Sequence, residues 1–481
     1  MKKDIPKNNL TKKSFIPTTT NMIKFFVVFF AASIFVASVL AVASGGESWK
    51  YMLFHSGPYT DMYMDFFNSI RDGGSDNVYS ERNNIYPPLC VLIFRIMSKL
   101  IDPNLVSTRF EQRTSLQSDK ICMVLYIMFA LICIMSMIRL IESYANMKTV
   151  GKMKLQAAII SFVMIISYPV MFCLERGNIL ILSMVFAMFF IFFKDSENKV
   201  IRELSYIALA FSAAIKLYPA IFGLTLIIEK KYKEALRLMA YGIIVVGFPI
   251  VFFLDEFRAD PASISYAFAP LLKIGTNVMA DAETQSIFEK LINNLLNFAL
   301  NKKSSLNLSS VSIQNIVFMF KGTNSTAKLV CGITEGIALI TAFATKDEWK
   351  KVFLLSYLML NIPSASNSYA LSFLIIPFCI FLFGTKVYKK RDWIYLGGYT
   401  LILTPLPTLW YYHPDGVKKL AEAIGLYYNT QLNQGISTFV FQLMFAIIVI
   451  ETITVTIKYL ESRKNKIKET TAINAQEASA A

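Results

Sequence analysis

The chain has 481 residues, of which 55% are hydrophobic and 14% aromatic, while only 17% carry charge. That balance excludes an ordinary soluble domain, whose charged share would be higher and whose apolar runs would be shorter. The net charge of +15 does not make it a nucleic-acid binder, because Lys and Arg sit in short clusters between apolar runs, as cytoplasmic loops of membrane proteins do.

Runs at residues 25–43, 155–174, 238–254 and 439–457 approach or reach the ~20 residues that cross a bilayer. The pattern predicts an all-α polytopic membrane protein, with about 10–13 membrane-embedded helices filling residues 22–457. Residues 1–21 carry Lys2, Lys3, Lys7, Lys12 and Lys13 and stay cytoplasmic by the positive-inside bias. The first apolar run is too long for a signal-peptide core and reads as an anchor. It delivers residues 44–86 to the outer face as a first loop with short interfacial helices.

Working back from the basic segment that begins at Lys458, residues 411–435 and 361–369 fall outside and 386–391 and 346–351 inside. A large loop at 255–325 is then outside. Both termini are thereby cytoplasmic, in a multi-pass protein of the plasma membrane. Residues 458–481 form the cytoplasmic tail, and its part after Lys468 is polar, rich in small residues and expected to be disordered.

Residues 204–228 admit two arrangements. One tilted span would leave the turn at 175–178 cytoplasmic. Two half-helices breaking at 216–219 would turn it outward, make 87–101 re-entrant and put the basic loop 148–154 inside. The positive-inside bias favours the second. The six cysteines, Cys90, Cys122, Cys133, Cys173, Cys331 and Cys379, form no CxxC pair, and His55 and His413 lie far apart. Neither a disulfide framework nor a zinc site follows.

Chemistry is expected where polar residues interrupt this apolar chain. Asp61 and Asp65 are four apart, and a helix through them would stack both on one face above the bilayer surface. A carboxylate beside apolar surface has its pKa raised, which suits a general base. Two carboxylates without further ligands are weak support for a divalent cation, whose need stays open. Tyr86-Pro87-Pro88-Leu89 closes the loop and enters the next helix rigidly. Glu175-Arg176-Gly177-Asn178 breaks an apolar stretch, and ions at membrane depth point to function. A tight loop whose Arg176 snorkels to headgroups is the plainer alternative.

Lys216-Leu217-Tyr218-Pro219 is the sharpest signal. An ammonium near the centre of an apolar run costs ~2.5 kcal/mol or more unless an anion or a water cavity receives it. Late in the chain, the polar patch Asn361 to Tyr369, with Ser366 and Tyr369 foremost, and a serine stretch at 304–310 offer hydrogen bonds to sugar hydroxyls, with a plain loop the alternative reading of each.

In this order, the motifs resemble the C-type (GT-C) membrane glycosyltransferases that use polyprenol-phosphate sugars, and most of all the bacterial polyprenol-phosphate-mannose-dependent mannosyltransferases. The catalytic subunit of the eukaryotic GPI mannosyltransferase is similar at Arg176-Gly177-Asn178 and at Lys216 with Tyr218-Pro219. The resemblance runs from about Asp61 to Tyr369. It implies a GT-C-like fold, a polyprenol-phosphate sugar as donor, a glycolipid or glycan acceptor of the cell envelope, and an inverting single displacement on the outer leaflet. An Asp of the first loop would be the base, with Asp61 placed slightly ahead of Asp65. Arg176 and Lys216 would hold the donor phosphate. Glu175, Asn178, Tyr218, Tyr86, Ser366 and Tyr369 would contact substrate, with no metal site assigned. Family members often carry a histidine near the late serine patch, where this chain has Ser368-Tyr369. Outside this class stands a transporter or flippase of lipid-linked glycans, which also uses broken helices and midplane ions. A polymerase or ligase of lipid-linked glycans is the nearer alternative.

Overall fold

The computed structural model describes residues 17–43, 45–46, 62–82, 84–107, 114–268, 325–361, 368–385, 387–407 and 432–480. Every regular element among them is helical. Lipid offers no water to the backbone, so each segment has to satisfy its own N–H and C=O groups. Among the described residues four helices are long and apolar enough to cross a membrane, or five if a bent pair is one span. Shorter apolar helices pack among them.

The chain shuttles between two ends of this bundle. Helix α1 (Thr19–Ala43) starts at the basic end, where Thr19 donates to the Tyr388 hydroxyl at 3.4 Å. At the opposite end α2 (Met64–Gly73) lies against α3 (Pro88–Ser98), and Arg95 donates to the carbonyls of Gly73 and Ser75 at 3.2 and 2.8 Å. Short helices α4 (Pro103–Val106) and α5 (Thr114–Ser118) lead into the long α6 (Lys120–Thr149), which returns to the basic end. From there α7 (Lys154–Ile165) and α8 (Tyr168–Arg176) run back, with a bend of 46° between them. Pro169 accounts for the bend, since its ring would strike the carbonyl of Ile165 in a continuous helix.

Helices α9 (Leu180–Phe193) and α10 (Lys199–Ile215) form an antiparallel hairpin. Near its head, Ser183 and Ser212 each donate to the other's carbonyl, at 3.0 and 2.7 Å. Lys216 then leaves the helix in an extended conformation, φ −140° and ψ 119°. The chain turns back through a tight helical segment, Tyr218–Gly223, into α11 (Leu224–Ile228). Lys194 and Asp195, at the foot of α9, meet Glu229 and Lys231 at the foot of α11. The break is therefore complete: two half-helices meet at Lys216, and no tilted span runs through it. Pro219 causes it one turn early, because its ring would collide with the carbonyl of Ile215.

Helix α12 (Tyr232–Gly247) climbs again beside α10, with Arg237 paired to Glu203 and the Tyr241 hydroxyl donating to it at 3.0 Å. A tight segment Phe248–Phe253 and the short helices α13 (Leu254–Ala259) and α14 (Ile264–Ala267) follow at the upper end. They pack Phe253 and Phe257 around Tyr79, at 5.4 and 5.3 Å between ring centroids. The remainder of the large loop expected at 255–325 lies, from 269 to 324, outside the described residues.

Helices α15 (Ser325–Ala344) and α16 (Glu348–Asn361) come next, then a tight segment Ser368–Leu374 running into α17 (Ile375–Cys379). Helices α18 (Asp392–Leu403) and α19 (Leu432–Ala480) complete the chain. At the basic end Lys350 donates to Glu451 at 2.8 Å, and Arg391 and the Tyr395 hydroxyl join the same carboxylate, tying α16, α18 and α19 together. Helix α19 continues to Ala480 where disorder was expected beyond Lys468. That stretch is rich in Ala, Glu and Gln, which prolong a helix once one has started.

Candidate active site

Helix α2 begins later than the spacing of its carboxylates suggests. Tyr63 stands in the left-handed region, φ 59°, and its N–H donates to the Glu175 carbonyl at 2.7 Å. Gln117 donates to the Met62 carbonyl at 2.6 Å. With its start fixed in this way the helix opens at Met64, and Asp65 occupies the first turn, where the exposed N–H groups favour a carboxylate. Tyr63 in the left-handed region marks where the regular helix starts, so Asp65 is the carboxylate that the described part of this helix carries. Asp61 lies outside the described residues, as do Ser366 and the 304–310 stretch.

The end of α8 is pressed against this start. Gly177 takes φ 65°, and a Cβ there would lie 2.9 Å from the Tyr63 carbonyl oxygen and 3.0 Å from the Phe66 Cβ. Only glycine meets both the left-handed backbone and the close approach. The approach brings the side chains on either side of Gly177 onto Asp65. Arg176 donates from Nη2 to Oδ1 at 2.7 Å, and Asn178 donates from Nδ2 to Oδ2 at 2.7 Å. Asn178 is oriented in turn by the Leu180 N–H, which donates to its Oδ1 at 3.0 Å. The arrangement commits Arg176 to Asp65, where snorkelling to headgroups was the alternative. Glu175 is buried, with Tyr63, Tyr126 and Tyr168 around its charge. Its carbonyl places α2.

Lys216 completes the group from the head of α10. Its Nζ stands 4.0 Å from the centre of the Tyr86 ring. The charge of Asp65 reaches it, together with Cys90 and Cys173, yet it forms no ion pair or hydrogen bond with a carboxylate among the described residues. The side chain is surrounded by protein but keeps part of its surface accessible. Tyr86, Tyr218 and Tyr369 lie within electrostatic reach of one another, and both Tyr86 and Tyr369 feel Asp65. Tyr369 is packed edge-on against Phe172 at 5.7 Å.

Asp65, Arg176, Asn178, Lys216, Tyr86, Tyr218 and Tyr369, drawn from five separate stretches of sequence, are thus gathered at one end of the bundle. Each Asp65 oxygen already accepts one donor and keeps a second lone pair for a hydroxyl. The Lys216 ammonium sits where water is scarce and attraction to an anion is strong. A divalent cation does not suit Asp65, which faces Arg176 and Lys216, and no three His, Cys, Asp or Glu residues group for a metal among the described residues.

A model of Glycosyltransferase family 87 matches residues 84–318. It supports a membrane glycosyltransferase of the GT-C type, without reaching the mannose-specific members. Comparison with curated proteins and with solved structures gives no match. The matched segment holds Tyr86, Arg176, Asn178, Lys216 and Tyr218, while Asp65 and Tyr369 come to the same place from outside it. Sequence reasoning missed Tyr63 and Gln117, which set the start of α2, and no local signal announces either. It also missed Glu256, a lone carboxylate just beyond an apolar run, whose role emerges only from its contacts.

Proposed function

We propose that this glycosyltransferase moves a hexose, with mannose the first sugar to try, from a polyprenol-phosphate donor to a lipid-linked or cell-envelope glycan on the outer leaflet. The observation that carries the reading is the Lys216 ammonium, without a carboxylate partner among the described residues and set over Tyr86 beside a carboxylate that Arg176 and Asn178 hold in place. A phosphodiester is the anion such a cation would take among these aromatic and apolar side chains. Asp65 accepts the proton of the acceptor hydroxyl, with Asp61 the alternative base. The acceptor oxygen attacks the sugar's anomeric carbon from the face opposite the phosphate. The bond from that carbon to the phosphate oxygen breaks, and its electron pair leaves with the phosphate, whose growing charge Lys216 stabilises. Arg176 acts chiefly through Asp65. The basic residues at the other end of the bundle support a cytoplasmic location for that end and an outward site.

The test uses the full chain in membranes with a radiolabelled polyprenol-phosphate hexose. Asp65→Asn and Lys216→Ala are each expected to lower transfer by about 10²- to 10³-fold. Wild-type rates in both variants would overturn the reading. The break at Lys216 is also what a lipid transporter would use, and lipid translocation without a new glycosidic bond would decide for that class.

A further inference from the structure

The Tyr86 ring beneath Lys216 ends a loop, residues 76–86, that hangs from two anchors. One is internal: Tyr86 donates its N–H to Asn84 Oδ1 at 2.8 Å, and Asn84 donates to Asp72 Oδ2 at 3.2 Å. The other is remote in sequence. Glu256, in α13, is buried, and its Oε1 accepts the N–H of Tyr79 at 2.6 Å, the N–H of Ser80 at 2.8 Å and the Ser80 hydroxyl at 3.1 Å. Its other oxygen, Oε2, is buried with no hydrogen-bond partner among the described residues. Tyr79 is fully buried between Phe253 and Phe257, and its hydroxyl donates to the Tyr86 carbonyl at 3.0 Å. A continuous path of bonds therefore runs from Glu256 through Tyr79 to the residue that faces the ammonium.

We propose that Glu256 is a positioning residue for the donor site: through Tyr79 it sets the Tyr86 ring against Lys216, and so ties donor binding to the seating of residues 248–267 on the first loop. A carboxylate oxygen that gathers three donors onto one loop, at the expense of a buried and unpartnered second oxygen, is poor packing economy for surface structure alone. Its reward is a fixed loop end. The inference rests on the donor reading of Lys216 for its kinetic consequence, whereas the seating of the loop stands on the contacts alone.

The variants Glu256→Ala, Glu256→Gln and Tyr79→Phe, made in the full chain in lipid nanodiscs, separate these parts. Glutamine keeps an acceptor oxygen for all three donors and is expected to retain wild-type kinetics. Alanine is expected to raise the donor KM about tenfold while kcat stays within about twofold, since it disturbs binding and not the reacting groups. Tyr79→Phe keeps the ring and loses only the link to Tyr86, so it should raise KM in the same direction. The double variant Glu256→Ala with Tyr79→Phe should be no worse than Glu256→Ala, as two members of one path are not additive.

Cys90, in the first turn of α3 and fully buried beside Lys216, gives a second readout that needs no donor. Its alkylation, followed by peptide mass spectrometry, should accelerate about tenfold in Glu256→Ala, with Cys133 and Cys379 as unchanged internal controls and Glu256→Gln at the wild-type rate. If wild-type protein does not use a polyprenol-phosphate sugar but Cys90 responds in this way, the functional reading fails and the positioning role survives. Unchanged Cys90 labelling in Glu256→Ala, equal acceleration at all three cysteines, or a fall in kcat with KM unmoved would overturn the positioning role.

Discussion

The two ends of the bundle treat buried charge in opposite ways. At the basic end Lys350 and Arg391 converge on Glu451, while Lys194 and Lys231 close on Asp195 and Glu229. At the other end Arg176 has Asp65, and Lys216 has the Tyr86 ring with no carboxylate in contact among the described residues. A closed pair repays part of its own desolvation and acts as a clamp between helices. An open cation held only over an aromatic ring recovers less of its desolvation until an anion arrives from outside. Depth alone does not distinguish the two, for Lys194 is more buried than Lys216. The presence or absence of an internal counter-ion does.

That contrast is broken most directly by exchanging its consequences. Glu451→Ala strips the carboxylate from under Lys350 and Arg391 and should destabilise the protein by ~3–5 kcal/mol, as expected for breaking a buried pair. The donor KM of the protein that remains folded should be unchanged. Lys216→Met should do the reverse, lowering transfer by about 10²- to 10³-fold while the melting temperature holds or rises, because an uncompensated charge has been removed. Thermal unfolding in detergent and transfer kinetics on the same samples check both. Equal losses of stability at the two positions would erase the distinction.

Gly177→Ala sharpens the comparison at the site end. The substitution forces a side chain into the left-handed region and against Tyr63 and Phe66, so a loss of ~1–3 kcal/mol is expected. Because the same contact brings Arg176 and Asn178 to Asp65, kcat should fall well beyond what the loss of folded protein explains. A variant that is destabilised but keeps its kcat would mean that Asp65 does not depend on this approach.

The polar breaks that build the site are legible in the sequence, and the reason is energetic. Ions in an apolar chain are so unfavourable that Arg176 and Lys216 stand out from composition and position alone, and Pro219 marks the break beside the second. The neighbouring tyrosines followed from the same motifs. What stayed hidden depends on backbone states and on partners far away in sequence. Four-residue spacing cannot announce that Tyr63, a non-glycine residue, takes φ 59° and that the helix carrying Asp65 starts only after it. The path from Glu256 to Tyr86 spans about 170 residues of sequence and has no local signature, since a single Glu after an apolar run is a common loop residue. Helix α19 runs through the polar tail to Ala480, where Ala and Glu favour continuing a helix that has already started.

The smallest effect concerns the closed network at the basic end and is read through pH. Burial pushes the Asp195 carboxyl up, but the pairs with Lys194 and Lys231 outweigh it and hold it below its ordinary value. Burial lowers Lys231, and hydrogen bonds to Asp195 and Glu229 outweigh that, so its ammonium is held above its ordinary range. For Asp195, a folded pKa below the unfolded one means stability that is present above the unfolded value and lost as pH falls through the folded one. For Lys231, the raised pKa gives stability that is present below the unfolded value and lost as pH rises through the folded one. Both side chains are more than a third exposed, so screening leaves the contribution modest. Asp195→Asn should therefore lower the melting temperature slightly at neutral pH, with the gap to wild type closing in strong acid and shrinking in high salt. Asn cannot carry the charge that acid removes from Asp. A gap that persists unchanged to acid pH would show that Asp195 acts there as a hydrogen-bonding residue and that its charge contributes nothing to the clamp.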